Sequence, residues 1–137
     1  MSVLERLAQI ELFSELNHKE LKKLASFMTT VNPKAGRNLT TQGAVGREFM
    51  IIREGEASVR RNGRLIANLG PGDFFGELAV VAGVPRTATV TAETDLVVEV
   101  LNRREFSSLL DGNPAIAKKI LVGAVKRLHE IEEGVVR

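Results

Sequence analysis

Short apolar segments separated by glycine and asparagine turns fill the middle of this chain, and they constrain its fold more than any other feature. Asn62-Gly63, between the apolar Val59 and Leu65, is a strong signal for a two-residue hairpin turn. Many short strands with regular turns are typical of a β-sandwich or a β-barrel. The predicted strands cover residues 49–52, 57–60, 87–92 and 96–101.

Helical patterns flank this β region on both sides. Residues 3–13 have roughly helical apolar spacing, and a second helix is predicted to run from Asn17 to Phe27. Asn102 is predicted to cap a helix that ends at 110, and after a break at 111–113 Pro114 starts the last helix. Both asparagines are followed three residues later by glutamate, which is the capping-box pattern.

Composition excludes several classes of protein. The 137 residues suit one domain with a real core, and the net charge of +2 gives no electrostatic case for direct nucleic-acid contact. The chain has no cysteine and two widely separated histidines, so we expect no metal site. The longest apolar run, residues 78–84, is too short to span a bilayer, and no signal pattern precedes it. A cytoplasmic protein without membrane contact is the expectation.

Two neighbouring motifs carry the chemistry, Phe-Gly-Glu-Leu-Ala at 75–79 and Pro-Arg-Thr-Ala-Thr-Val at 85–90. Gly76 lets a ligand approach the backbone closely, and a helix start over 77–82 would offer free N–H groups to an anion. Arg86 has a planar donor fork that suits phosphate oxygens, with threonine hydroxyls beside it. Glu77 would repel a phosphate, so its expected partner is a sugar hydroxyl.

These motifs closely resemble the phosphate-binding cassette of the cyclic nucleotide-binding domain family, over roughly residues 10–134. The resemblance implies a mainly β fold with flanking helices, namely an eight-stranded jelly-roll β-barrel of the cupin-like double-stranded β-helix type. It also implies an N-terminal helical bundle and C-terminal lid helices. The expected single domain is 1–137, with N-terminal helices at 1–30, the barrel and cassette at 31–101, and C-terminal helices at 102–137.

The resemblance also implies roles for individual residues. The cassette glutamate binds the ribose 2′-OH and the cassette arginine pairs with the cyclic phosphate, while Thr87 permits both cAMP and cGMP. Backbone N–H groups of the cassette hold sugar and phosphate, apolar barrel residues contact the nucleotide, and lid residues lie near the base. The expected ligand-binding residues are Gly76, Glu77, Leu78, Ala79, Arg86, Thr87, Ala88, Val59, Ile66, Arg127 and Ile131.

The last helix departs from the family in one respect. Relatives of the catabolite-activator type recognise the adenine amino group through hydroxyl residues at the positions of Ile131 and Glu132, so that recognition does not carry over. The helix also has a stripe with coiled-coil spacing, which indicates either a homodimer seam or a face that covers the barrel. We favour the second interpretation. The stripe consists of Ala117, Leu121, Ala124, Leu128, Ile131 and Val135.

The expected function is that of a stand-alone or excised sensor that binds cAMP, or alternatively cGMP, and moves its lid helix on binding. No enzyme activity and no cofactor are expected, because no nucleophile–base pair or metal set is present. The downstream effector protein is unknown. Two alternatives remain: an interaction module of the same fold without a ligand, and the sensor part of a transcriptional regulator without its DNA-binding domain.

Overall fold

A computed structural model describes residues 2–76, 80 and 85–132, without the side chains of 127, 128 and 130–132. The chain forms two compact units. The helical unit combines Met1–Phe27 with Ser107–Arg137, and the β unit is Met28–Phe106. The described helices of the chain are α1 (Val3–Gln9), a 3₁₀ turn η1 (Glu11–Phe13), α2 (His18–Ser26), α3 (Arg103–Gly112) and α4 (Pro114–Glu132).

The single helix predicted over 3–13 is wrong, because the chain leaves the α-helix at Ile10. Ile10 has an extended backbone with φ −80° and ψ 124°, and η1 follows it. Ile10, Leu12 and Phe13 are all fully buried. Positions 10 and 12 are about 200° apart around a helix, so a continuous helix would expose one of them. The break at Ile10 lets all three side chains enter the core of the helical unit.

The capping box at the start of α2 is confirmed. The Asn17 side chain accepts from the Glu20 N–H at 2.9 Å, and the Glu20 carboxylate accepts from the Asn17 N–H at 3.0 Å. The same carboxylate accepts from Lys119 Nζ in α4 at 2.6 Å. The N–H bond from Asn17, together with Lys119, lowers the pKa of Glu20 below its ordinary value of 4.5.

Replacing Glu20 with glutamine should therefore have a pH-dependent effect. A carboxyl whose pKa is lowered in the folded state stabilises the fold above its unfolded pKa, and this contribution is lost as pH falls through the folded pKa. We expect Glu20→Gln to lower the Tm at pH 7 and to have progressively less effect below pH about 4. Thermal melts of both proteins from pH 7 to pH 3 check this. A Tm difference that stays constant over that range would contradict the ion pair.

Two antiparallel sheets form the β unit. Among the described residues, one sheet has the order β1-β8-β3-β6 and the other β2-β7-β4-β5. A mainly β fold with flanking helices is therefore confirmed, whereas the finer jelly-roll description stays a prediction. The strands are β1 (Thr29–Val31), β2 (Asn38–Thr40), β3 (Glu48–Glu54), β4 (Ala57–Arg61), β5 (Arg64–Leu69), β6 (Phe74–Phe75), β7 (Thr89–Ala92) and β8 (Val97–Asn102).

The predicted hairpin at Asn62-Gly63 is confirmed. Both residues have positive φ, 53° and 78°, as a type I′ turn requires, and the turn joins β4 to β5. The core beneath the sheets is aliphatic, with Leu39, Val59, Leu69 and Phe75 packed at its edge. Its buried members are Met50, Ile52, Ala57, Val90, Ala92, Leu96, Val98 and Val100.

Several predicted boundaries shift. The first strand starts at Thr29, so the N-terminal helices end before residue 30. The strand predicted from 87 starts at Thr89. The carbonyls of Thr87 and Ala88 accept from side chains, namely Arg61 Nε and the Thr40 hydroxyl. The helix α3 starts at Arg103 after the predicted cap at Asn102, which accepts from the Glu105 N–H at 2.8 Å.

The break predicted at 111–113 falls at Asn113 alone. The helix α3 continues through Gly112. The Asn113 amide donates to the Leu109 carbonyl at 2.8 Å, which satisfies one of the free carbonyls at the end of α3.

The helix α4 packs against η1 through a face that lies beside the predicted stripe. Ile116 and Ile120 are buried, and a Cβ on Gly123 would meet the backbone of Glu11 and Leu12. Gly123 therefore allows a close approach of two backbones. Of the stripe, Ala117 and Ala124 are half-buried and Leu121 is 64% exposed. Leu128 and Ile131 have no described side chains, and Val135 lies outside the described residues.

Candidate functional site

Arg86 is fixed by an irregular loop between β2 and β3. Its N–H donates to the Ala44 carbonyl at 2.8 Å, and its carbonyl accepts from the Gly43 N–H at 2.9 Å. Immediately before it, Pro85 pairs with Val45 in an isolated antiparallel bridge. The backbone of the predicted phosphate-binding arginine is therefore anchored by residues about 40 positions earlier in the chain.

The guanidinium of Arg86 is also held in place. Its Nη2 donates to the Glu48 backbone carbonyl at 2.7 Å, at the start of β3. The side chain is half-buried. Burial lowers the pKa of Arg86 from its ordinary value, and the nearby Glu48 carboxylate partly opposes this shift. An arginine guanidinium stays protonated in proteins, so a half-buried positive charge is available at this point.

Gly76 lies beside this charge, directly after β6. It has a φ of +84°, a conformation that favours glycine. A Cβ at this position would press on the Glu48 carbonyl and would lie 2.5 Å from Arg86 Nη1. Any larger residue would thus be strained and would displace the arginine. The structure brings Gly76 and Arg86 together, two residues that the sequence assigned to one site.

Gly46 is a site residue that sequence analysis missed. A Cβ built on it would overlap Arg86 Nε and lie 2.5 Å from Cδ and 2.6 Å from Cζ. The guanidinium therefore lies against two glycines, Gly46 and Gly76. The available signal was the spacing of Gly43 and Gly46 in a turn just before a strand. That spacing alone indicates a tight loop, and it carries no information about a side chain forty residues later.

The residues after Arg86 are held mainly through their carbonyls. Thr87 is exposed, and its carbonyl accepts from Arg61 Nε at 3.1 Å. Ala88 is half-buried, and its carbonyl accepts from the Thr40 hydroxyl at 3.1 Å. The exposed Thr87 side chain therefore lies next to a well-anchored stretch of backbone.

The two predicted apolar contacts have different environments. Val59 lies in β4, opposite Val90 of β7, and packs at the edge of the core. This position also agrees with a purely structural role for Val59. Ile66 is the extra residue of a bulge in β5, because Val59 pairs with Ala67 and the next residue pairs with Leu65. It is 46% exposed, so it is available to a ligand.

The structure does not describe the side chains of five predicted site residues. Glu77, Leu78 and Ala79 lie outside the described residues, and Arg127 and Ile131 belong to α4 without described side chains. Next to them, Val80 is fully buried, and its N–H donates to the Gly76 carbonyl at 3.3 Å. This bond has the i to i−4 spacing of an α-helix.

The described part of the site can hold an anion. It offers one half-buried guanidinium, two glycines that permit close approach, and an exposed threonine. No group of three or more histidine, aspartate or glutamate residues in the described part of the chain could hold a metal ion. Within the same residues, no helix is long and apolar enough to cross a membrane.

Comparison with known proteins identifies the class to which this fold and site belong. The sequence model of the cyclic nucleotide-binding domain matches residues 30–113, which is more than half of the chain. The chain therefore belongs to the cyclic nucleotide-binding domain family.

Curated relatives include regulatory subunits of cAMP-dependent protein kinase. The subunit from Yarrowia lipolytica is 38% identical over 106 residues, which is 76% of this chain and 28% of the relative. The subunit from Schizosaccharomyces pombe is 36% identical over 105 residues, 76% of this chain and 26% of the relative. The chain thus spans about a quarter of the length of these relatives.

Solved structures show the same fold. The N-terminal domain of a transcriptional regulator from Streptomyces coelicolor has a TM-score of 0.84 at 28% identity, covering 94% of this chain and 93% of that one. The regulatory domain of Toxoplasma gondii PKA, crystallised with cAMP, has a TM-score of 0.69 at 32% identity. That comparison covers 78% of this chain and 42% of the other.

Proposed function

We propose that this chain is a regulatory sensor domain that binds cAMP, with cGMP as the alternative ligand. The observation that carries the proposal is the placement of Arg86, whose half-buried guanidinium is fixed on the Glu48 carbonyl between Gly46 and Gly76. Similarity to kinase regulatory subunits and to a cAMP complex supports the choice of ligand.

In the proposed complex, Arg86 pairs with the cyclic phosphate and Glu77 accepts from the ribose 2′-OH. Nη2 of Arg86 already donates to the Glu48 carbonyl, so the remaining N–H groups of the guanidinium, including those on Nη1 and Nε, are the proposed donors to the phosphate oxygens. Because Gly76 has no side chain, the nucleotide can approach its backbone N–H closely in the proposed complex.

Isothermal titration with cAMP and with cGMP tests the proposal directly, after any co-purified nucleotide has been removed. We expect micromolar or tighter binding of at least one of them, and the ratio of the two affinities measures the preference for adenine or guanine. Absence of heat, together with an unchanged Tm, would overturn the proposal. That result would favour the alternative of an interaction module without a ligand.

Glu77→Ala tests the ribose assignment. The variant should bind cAMP about 10-fold or more weakly, because a hydrogen bond to a charged group contributes about 1.5–3 kcal/mol. It should bind 2′-deoxy-cAMP about as well as the unchanged protein does, since that ligand lacks the hydroxyl. Titration of both proteins with both nucleotides gives the comparison. Equal losses for the two ligands would refute the contact between Glu77 and the sugar.

Movement of the lid helix α4 on binding is a further part of the proposal. The proposal assumes an equilibrium between two positions of α4. A nucleotide shifts that equilibrium only if it binds one of the two states more tightly than the other. Hydrogen exchange of the α4 amides should change when cAMP is added. Identical exchange with and without saturating nucleotide would refute the movement.

The alternative that the chain is the sensor part of a transcriptional regulator is favoured by one observation, the likeness to the Streptomyces coelicolor regulator domain. A longer reading frame that encodes a helix-turn-helix would establish it. A natural chain that carries no such segment would refute it.

A further inference from the structure

A cleft of about 650 Å³ lies within the helical unit, between α2 and the junction of α3 with α4. One wall is a face of α2, and the other is formed by residues at the start of α4. The volume falls in the range of about 300–1,000 Å³ that is usual for ligand sites. The residues that matter for recognition are Lys19, Lys22, Lys23, Pro114, Ala115 and Ile116.

The α2 wall is strongly basic. Lys19, Lys22 and Lys23 are spaced at i, i+3 and i+4, so they share one face of the helix, and all three are exposed. The chain as a whole has a net charge of only +2. The three ammonium groups are therefore a local concentration of charge, which the overall composition conceals.

The acidic residue of the cleft does not neutralise these lysines. Glu20 lines the cleft, but its carboxylate accepts from Lys119 Nζ at 2.6 Å and from the Asn17 N–H at 3.0 Å. Its charge is thus already balanced by a fourth lysine, which belongs to α4. The α2 wall therefore keeps an excess of positive charge. Of its three lysines, Lys23 also has its Nζ 6.0 Å from the centroid of the Phe27 ring.

The opposite wall is apolar and small. Pro114 and Ala115 are exposed, and Ile116 is buried beneath them. This wall suits an aliphatic side chain. The described lining has no aromatic ring on which a nucleic-acid base could stack. Its combination of ammonium groups and an apolar floor favours carboxylates that flank an aliphatic residue.

We propose that this cleft, the α2–α4 cleft, docks an acidic peptide segment of a partner protein. Carboxylates of the segment pair with Lys19, Lys22 and Lys23, and an aliphatic side chain packs on Pro114 and Ala115. The site is separate from the proposed nucleotide site in the β unit and does not depend on it. It is a surface through which a regulatory domain can contact its effector.

Fluorescence anisotropy with the full chain tests the docking. The probe is a fluorescein-labelled peptide in which leucines alternate with pairs of glutamates, and the comparison peptide has glutamine in place of every glutamate. We expect saturable binding of the acidic peptide at low salt, weakening as salt is raised, because ion pairs at the surface are screened. The glutamine peptide should bind at least 10-fold more weakly.

Two triple variants separate the cleft from general electrostatic attraction. The first variant, Lys19→Glu/Lys22→Glu/Lys23→Glu, reverses the charge of the α2 wall. The second, Arg37→Glu/Arg64→Glu/Arg104→Glu, makes the same change of net charge at exposed positions elsewhere. The first should lose at least 10-fold in affinity, and the second should change it less than 3-fold. Ala115→Glu, which adds a carboxylate to the apolar wall at a helix position that tolerates one, should also weaken binding. Thermal melts check that each variant is folded.

Three results would overturn the proposal. They are the absence of binding at low salt, equal losses in the two triple variants, and binding of a single-stranded oligonucleotide as tightly as the acidic peptide. The last would identify the cleft as a nucleic-acid surface. An unchanged affinity of the Lys19→Glu/Lys22→Glu/Lys23→Glu variant for cAMP would show that the docking site and the nucleotide site are independent.

Discussion

Replacing Arg86 with leucine should lower the affinity for cAMP by roughly 100-fold or more. Each hydrogen bond to a charged group contributes about 1.5–3 kcal/mol, and every 1.4 kcal/mol is a factor of ten in Kd. Two lost bonds from the guanidinium therefore account for the expected effect. Leucine also leaves the phosphate of the bound nucleotide half-buried without a counter-charge, which adds a desolvation cost.

Isothermal titration of both proteins measures this loss, and thermal melts provide the first control. Leucine removes the donor to the Glu48 carbonyl, so a modest decrease in Tm is expected. Arg86→Lys is the second control, since lysine keeps the charge but loses the planar fork. Its affinity should be intermediate. Unchanged affinity in Arg86→Leu would refute the phosphate assignment, because a contact with the phosphate cannot be removed without weakening binding.

Local signals predicted the fold well where a structure depends on neighbouring residues. The capping boxes at Asn17 and Asn102 and the turn at Asn62-Gly63 are all present as predicted. Each depends on contacts between residues that are only a few positions apart, so the residue types needed for it can be read directly from the sequence. The failure at Ile10 has the opposite cause. Burial of three apolar residues in one core outweighed helical periodicity there, and only the packed structure reveals that competition.

The candidate site shows the same division. Gly76 and Arg86 were identified because they belong to two neighbouring motifs and lie ten residues apart in the sequence. Gly46 and the Glu48 carbonyl were not identified, since they lie about 40 residues before Arg86 in the sequence. Gly46 is in the loop between β2 and β3, and Glu48 is the first residue of β3. A backbone carbonyl has no sequence signature at all. The supports of a binding arginine are therefore much harder to predict than the arginine itself.

Gly46→Ala should weaken cAMP binding almost as much as Arg86→Leu, by roughly 100-fold. The new methyl group would overlap the Nε, Cδ and Cζ atoms of Arg86, so the arginine side chain has to shift. We expect this shift to weaken the hydrogen bond from Arg86 to the Glu48 carbonyl and to move the guanidinium away from the phosphate position. The backbone of Gly46 lies outside the left-handed region, so alanine is tolerated there and the fold should survive.

Gly112→Ala is the matched control, since a Cβ at Gly112 meets open space and the same atom is added. This control should bind cAMP normally. A double-mutant cycle then separates displacement of Arg86 from any other effect of the methyl group. If Gly46 acts by positioning Arg86, Gly46→Ala/Arg86→Leu should bind no more weakly than Arg86→Leu alone, because one contact cannot be lost twice. Additive losses would mean that Gly46 contacts the nucleotide through its own backbone, and the positioning role would be wrong.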